Sequence, residues 1–552
     1  MNFWSGLKKI FRLGSRGKQF SLGNESWERP ESEQPKPEPE PLFNDLAKNL
    51  CLLEKIFYLP TNKDIVVRDF LIPSLDRKAL IIYIDGLTDS KTQNFAILQP
   101  LMVLNPDEAG NGRDSISIAY EKLVPGHQIQ KTKNLKDVIN GVLDGSSVLL
   151  IDGSDQALVI ETKGWEHRGV DRPNNEPVVR GPQESFVENF RANTASVRRY
   201  IKDPKLITEI FRVGRRSQTQ VAVMYIKDIA NPRLVEEVKY RIQSVAETVD
   251  YIPETGILEE YLEDNPKSLI PQMLSTERPD RLGAYIREGH IGVVMANSPF
   301  SLVLPITFTI FIHSAEDYYL RWPFGNFIRF IRVIAIFIAL MMPATYIAIV
   351  NYHQEMIPPD LLIAMTAARE AVPFPAILEI LFMEFAFELI QEAGVRIPSA
   401  IGPTIGIVGA LILGQAAVSA SIVSPILIII IAITALASFV VPNYNASFSV
   451  RILRILFIIF SGFLGFFGIA FGIFLLVLHL VTINSFGIPF MTPIAPYEPK
   501  NKDRIIRPRG YDQPYRPVYL RPLDWIRQEK NPRRWDRPSP SPDKGEEEQN
   551  EQ

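Results

Sequence analysis

Residues Phe327–Val350 read FIRFIRVIAIFIALMMPATYIAIV, with two arginines near the start and no acidic residue. A helix rises about 1.5 Å per residue, so this run is long enough for the ~30 Å of hydrocarbon in a bilayer. Two further runs share its character. Thr404–Val441 is apolar throughout but too long for one crossing, and Ser424-Pro425 divides it into two short spans joined by a tight turn. Ile452–Ile483, rich in Phe and Gly and free of acids, reads as another long span. Ile291–Ile312 is a weaker candidate, because Pro299 and Pro305 would free backbone groups inside lipid. The pattern predicts a membrane protein with four to six helical spans.

Outside these runs the chain is polar. Its 552 residues carry 59 Lys+Arg against 62 Asp+Glu, a net charge of −3 that argues against a nucleic-acid partner, since neutralising phosphates needs a basic surplus. A single cysteine, Cys51, excludes an internal disulfide and a cysteine-clustered metal site. No GxxxxGK[ST] loop, GxGxxG turn, HExxH or GxSxG elbow occurs, so no catalytic, cofactor or metal residue is expected.

The expected organisation has six parts. Residues 1–20 place Phe3, Trp4, Leu7, Ile10 and Phe11 beside Lys8, Lys9 and Arg12, the pattern of a short helix lying on membrane lipids. Residues 21–41, proline and glutamate rich, form a disordered linker. Two soluble subdomains, 42–145 and 146–283, alternate short strands (Ala79–Ile84, Ser147–Ile151, Val221–Ile226) with helices (Phe43–Phe57, Gln183–Tyr200, Pro232–Val245), which predicts an α/β or α+β class. A transmembrane region follows over 284–495, then an Arg/Pro-rich tail over 496–552. Basic residues before the first span and in the tail place both the soluble region and the tail in the cytoplasm. Arg451 and Arg454 would fall on the wrong side of a simple four-span arrangement.

Two patterns inside the apolar region carry candidate function. Glu384, Glu388 and Glu392 recur every four residues, so on a helix they make one acidic stripe. Acids in such a setting mark an ion path or lie wet at an interface, and spacing leaves both readings open. Gly402, Gly406, Ala410 and Gly414 form a ladder of small residues that lets helix backbones approach closely, and Gly468 and Gly472 repeat it.

A series of strings in order then resembles one family. They include Glu161-Thr162-Lys163-Gly164-Trp165-Glu166, Pro177-Val178-Val179-Arg180-Gly181-Pro182, Gly214-Arg215-Arg216-Ser217 and Thr276-Glu277-Arg278-Pro279-Asp280-Arg281. Asn297-Ser298-Pro299-Phe300, Glu316-Asp317-Tyr318-Tyr319, Arg369-Glu370-Ala371-Val372-Pro373-Phe374-Pro375 and Gly414-Gln415-Ala416-Ala417-Val418 continue it. Together they are similar to the A subunits of GerA-type spore germination receptors. The resemblance implies a multi-pass protein of the spore inner membrane. Its implied partners are a transporter-like B subunit that binds nutrient and a lipoprotein C subunit. It also implies oligomerisation into the cation-conducting part. The stage V sporulation protein AF type is the near alternative, and a secondary transporter a more distant one. Arg215 and Arg216 could grip an anion or simply lie paired at the surface.

Overall fold

The computed structural model describes residues 41–529 and 532, apart from 104–114, 121–123, 125–127, 165–172, 174 and 397–413. The amphipathic segment, nearly all of the linker and the end of the tail therefore lie outside the described residues.

Strong local signals start the helices of the two-sheet body. Asp45 caps α1 (Leu46–Phe57) by accepting from the Ala47 amide, and Asn189 caps α3 (Phe190–Tyr200) in the same way. Between these helices lie β1 (Ile65–Ile72), β2 (Arg77–Ile84), β3 (Ile129–Thr132), α2 (Leu135–Leu143), β4 (Ser147–Ile151) and β5 (Ala157–Ile160). After α3 come β6 (Leu206–Val213), β7 (Thr219–Ile226), α4 (Pro232–Thr248), α5 (Thr255–Leu262), β8 (Leu274–Thr276), α6 (Pro279–Arg287), β9 (Ile291–Met295) and β10 (Ser301–Leu304). The first sheet runs β1-β2-β4-β5-β3 and the second β6-β7-β9-β10-β8.

These orders are the same order. The strand register repeats as well: Ala79 opposite Ile151 becomes Val221 opposite Met295, Ser147 opposite Ile160 becomes Ile291 opposite Leu304, and Thr132 opposite Ala157 becomes Thr276 opposite Ser301. The two-sheet body is thus a tandem structural repeat. Every pairing within the two sheets is antiparallel, which decides α+β between the two expected classes. Each sheet is covered on both faces: in the second, α4 and α5 pack Val238, Ile242 and Leu258 on one face, while α3 and α6 pack Val197, Leu282 and Ile286 on the other. That is why the central strands β4 and β9 are buried at every position and show no alternation. Arg198 of α3 joins the repeats, its guanidinium 2.6 and 2.8 Å from the Asp64 carboxylate beside β1, with both side chains 1% exposed.

Two expected boundaries move. The break at 145/146 cuts the first sheet, because Asp144-Gly145 turns α2 into the central strand β4 and does not open a new unit. The transmembrane region does not begin at 284, since Ile291–Ile312 supplies β9 and β10 to the second sheet, whose buried strands are apolar for the same reason a span would be.

The apolar helices are α7 (Trp322–Tyr352), α8 (Pro359–Arg369), α9 (Ala376–Arg396), α10 (Pro425–Ser438, capped by Ser424) and α11 (Tyr444–Thr482). By length and composition α7 and α11 are able to cross a membrane. At 39 residues, α11 would extend about 58 Å if straight, roughly twice a hydrocarbon core. It is not straight. Gly465 adopts φ 58° and ψ −137°, a conformation that a Cβ would strain, and the chain reverses there. Phe460 then stacks against Phe471 at 5.8 Å, and a Cβ on Gly472 would lie 2.9 Å from the Phe457 ring. The expected single span over Ile452–Ile483 is therefore a helical hairpin with legs 444–464 and 466–482. Both leg bases meet the two-sheet body: Ser449 donates to the Leu269 carbonyl at 2.5 Å, and His479 lies 3.0 Å from Ser268. A short hairpin, β11 (Asn484–Ser485) and β12 (Ile488–Pro489), follows and buries Phe486 and Phe490 in the two cores of the second repeat.

Candidate functional site

Two buried ion clusters mark the helical region, one inside the bundle and one where α7 leaves the body. The bundle cluster contains the acidic stripe. α9 passes beside the first leg of α11 and presents Glu384, which is 3% exposed, to Arg454, 1% exposed, at 2.7 Å. Glu388 lies 3.5 Å from Arg454 and 3.1 Å from Arg451, which also donates to Gln391. One turn toward the other end of α9, Glu379 accepts from Arg369 at 3.1 Å and from the Ser424 amide at 3.2 Å. Glu392 continues along the same helix. The cluster is not fully satisfied, for Glu384 Oε1 and the Nε atoms of Arg451 and Arg454 are buried without a hydrogen-bond partner among the described residues. Such groups cost free energy, and in native proteins they point to strain, water or an ion.

The hairpin also fixes the end of the bundle at which the arginine pair lies. Arg451 and Arg454 follow Ser449, whose contact with Leu269 fixes the base of the first leg against the body. They therefore lie at the body end of the bundle, together with Arg329 and Arg332 of α7.

The root cluster holds those last two. Arg329, 0% exposed, donates through Nε to Asp317 at 2.9 Å and through Nη1 to Asp503 of the tail at 2.6 Å. Arg332 reaches Asp317 at 3.0 Å and the Ile312 carbonyl. The tail adds Arg507, whose carbonyl accepts from Trp322 at 2.6 Å and Asn326 at 3.0 Å, while its guanidinium donates to the Asp317 carbonyl. Burial pushes His313 below its ordinary value, and its Nε2 donates to the Arg504 carbonyl at 2.5 Å. The tail is thereby strapped to the body: Leu523 and Asp524 donate to the Ile229 and Asp228 carbonyls, and Asn231 to that of Leu520. Sequence reasoning missed Asp503, which lies far from Arg329 along the chain and carries no motif.

Of the small-residue ladder, Gly402, Gly406 and Ala410 lie outside the described residues. Gly414 faces Ile428 at ordinary contact distance, 3.7 Å from where its Cβ would stand. Gly468 and Gly472 lie inside the hairpin of α11, where Gly468 meets the Phe460 carbonyl so closely that no side chain fits. Arg215 and Arg216 are exposed and share Asp250, at 3.4 and 3.1 Å.

A duplicated α+β body, rooted by buried ion pairs to helices long and apolar enough to cross a membrane, defines a two-part class of protein. Residues 52–519 match the family described as Bacillus/Clostridium GerA spore germination protein, and the chain belongs to that family. Spore germination protein KA of Bacillus subtilis (strain 168) is 37% identical over 515 residues, 93% of each chain. Spore germination protein GerLA of Bacillus cereus is 37% identical, covering 84% of this chain and 94% of its own. A Bacillus subtilis relative described as the uncharacterized membrane protein YfkQ is 36% identical, covering 79% and 84%. Among solved structures, the N-terminal domain of the A subunit of the Bacillus megaterium spore germinant receptor GerK3 aligns with 49% of this chain and 99% of its own, at 30% identity and a TM-score of 0.39.

Proposed function

We propose that this chain is the A-type subunit of a nutrient germinant receptor in the spore inner membrane. In this reading it assembles with further copies of itself, a transporter-like B subunit and a lipoprotein C subunit, and forms the part through which cations leave when germination starts. The observation that carries the reading is family membership across residues 52–519 in a chain whose apolar bundle contains paired acids and an unpartnered carboxylate oxygen at Glu384. The orientation follows from charge. The body, the tail and Arg329, Arg332, Arg451 and Arg454 all lie at one end of the bundle, and the positive-inside rule assigns that end to the cytoplasm, the spore-core side.

The stripe has a second reading, favoured by the 2.7 Å Glu384–Arg454 pair. In it Glu384 and Glu388 weld α9 to α11, and the conducting path lies elsewhere in the assembly. The subunit assignment itself is tested by affinity purification of a tagged chain from spore membranes. Recovery of a transporter-like membrane protein and a lipoprotein supports the receptor reading. Recovery of the chain without either removes it and leaves the stage V sporulation AF-type alternative.

A further inference from the structure

Between α6, the loop before α7 and the strapped tail lies a chamber of about 290 Å³, bordered by Asp503 and His313 of the root cluster. Its walls are aromatic: Tyr200, Tyr285, Tyr318, Tyr319, Tyr515 and Tyr519 all line it. His290, 3% exposed, sits among them with its ring edge-on to Tyr285 at 4.9 Å and near Tyr519 at 6.4 Å. Its Nδ1 donates to the Pro305 carbonyl at 2.7 Å, which leaves Nε2 as an acceptor with no partner among the described residues.

The charges lining the chamber are unequal. Its three acids are engaged: Asp280 with Arg278 and Tyr319, Glu288 with Arg527, and Asp503 with Arg329 and Tyr318. Arg281 is engaged as well, by Glu176. Three further cations, Arg287, Lys500 and Lys502, have no carboxylate within ion-pair distance among the described residues. Arg287 reaches only the Gly283 carbonyl and Lys500 lies over the Trp525 ring at 4.8 Å. The chamber therefore offers flat aromatic walls, one buried acceptor and a surplus of positive charge.

The first repeat shows that this chemistry is not a by-product of the fold. At the equivalent positions of the first repeat Asp137, Gly141, Asp144 and Ser146 stand in place of Arg281, Tyr285, Glu288 and His290, and they supply neither a cation nor an aromatic ring. Tyr285 and His290 have no counterpart in the first copy, and Tyr318, Tyr319, Tyr515 and Tyr519 come from the loop and tail outside both repeats.

We propose that this chamber binds a small aromatic carboxylate. The tyrosine rings sandwich the ligand ring, Lys502, Lys500 and Arg287 hold its carboxylate, and His290 Nε2 accepts from a ring hydroxyl or N–H at the other end. The proposal stands on the chamber alone and is independent of the receptor assignment.

The test uses the full chain purified in detergent and titrated calorimetrically with 4-hydroxybenzoate, and with 4-hydroxybenzylamine as the counterpart of opposite charge. Quenching of Trp525, which stacks on Tyr515 at 4.7 Å, gives a second readout against a Trp525→Phe control. The expected result is saturable binding of the carboxylate, at least about tenfold tighter than the amine, as one charge-assisted hydrogen bond would give. Lys502→Gln and Arg287→Gln, both exposed positions on different elements, should each weaken binding by about tenfold, and Lys502→Arg should restore it. Absence of saturable binding, equal binding of the amine, or unchanged affinity in both glutamine variants would overturn the proposal.

Discussion

Replacing Glu384 with Gln removes one negative charge from the bundle cluster and keeps nearly the same shape. Arg454 is 1% exposed, so it cannot turn to water when its 2.7 Å partner becomes neutral. Glu388 remains at 3.5 Å, but Arg451 already shares it at 3.1 Å. Breaking a buried pair costs ~3–5 kcal/mol because the survivor is an uncompensated charge. The partial service of Glu388 lowers the expected cost to about 2–3 kcal/mol. Arg454→Gln alone leaves the buried Glu384 without its partner and should cost a similar amount. The double change removes both charges, and should recover about 2 kcal/mol of the summed single losses. The assay is thermal unfolding of the four purified proteins in detergent, with abundance in spore membranes measured in parallel. Single changes that are each as stable as the parent, and additive in combination, would refute the welding role. If those same variants also released cations more slowly, the acids would belong to the conducting path.

Other consequences follow from single positions. Gly465→Ala forces a Cβ into φ 58°, 3.0 Å from Tyr352, and should cost on the order of 2 kcal/mol or more, read as lower abundance and a lower unfolding midpoint than for Gly414→Ala, which has room. Asp503→Asn takes from Arg329 its tail partner, and limited proteolysis should then cleave the tail near residues 496–510 faster than in the parent. Burial lowers His290 to about 4 from 6.5, so its contribution to stability is whole above pH 6.5 and is lost as pH falls toward 4. His290→Gln should flatten that acid limb of the unfolding profile, and an unchanged limb would show that another group sets it. Burial also raises Glu259, to about 8, with Glu263 and Glu254 adding to the effect, which has the opposite sign: stability is whole below about 4.5 and lost as pH rises through 8. Glu259→Gln should therefore stabilise at pH 9 and leave pH 4 unaffected.

The sequence showed the parts that rest on local signals. Asn231-Pro232 starts α4 and Ser424-Pro425 starts α10 where capping chemistry places them. The length of α7 and the four-residue spacing of the acidic stripe were equally legible. The repeat was not, because the matching segments share little beyond Thr132 and Thr276, Gly145 and Gly289, Ser154 and Ser298, and the Leu158-Val159 and Leu302-Val303 pairs. What recurs is strand register and turn geometry, as where Gly153 at φ 85° is answered by Asn297 at φ 64°. Ile291–Ile312 read as membrane-like because a strand covered on both faces needs apolar residues at every position, as a span does. The arginine partners of Glu384 and Glu388 stayed hidden for another reason. Ion pairs between helices are set by the tertiary path of the chain, here the reversal at Gly465 and the return of the leg bases to Leu269 and Ser268.

The central claim is that this chain is a required, cation-conducting part of a germinant receptor. Potassium release from spores lacking only this chain, measured after exposure to each of a panel of amino acids, sugars and nucleosides, tests it most directly. The account predicts that release to at least one nutrient disappears while spores still germinate in response to a non-nutrient trigger, and that restoring the chain restores release. Undiminished potassium release to every nutrient that triggers the parent spores would contradict it.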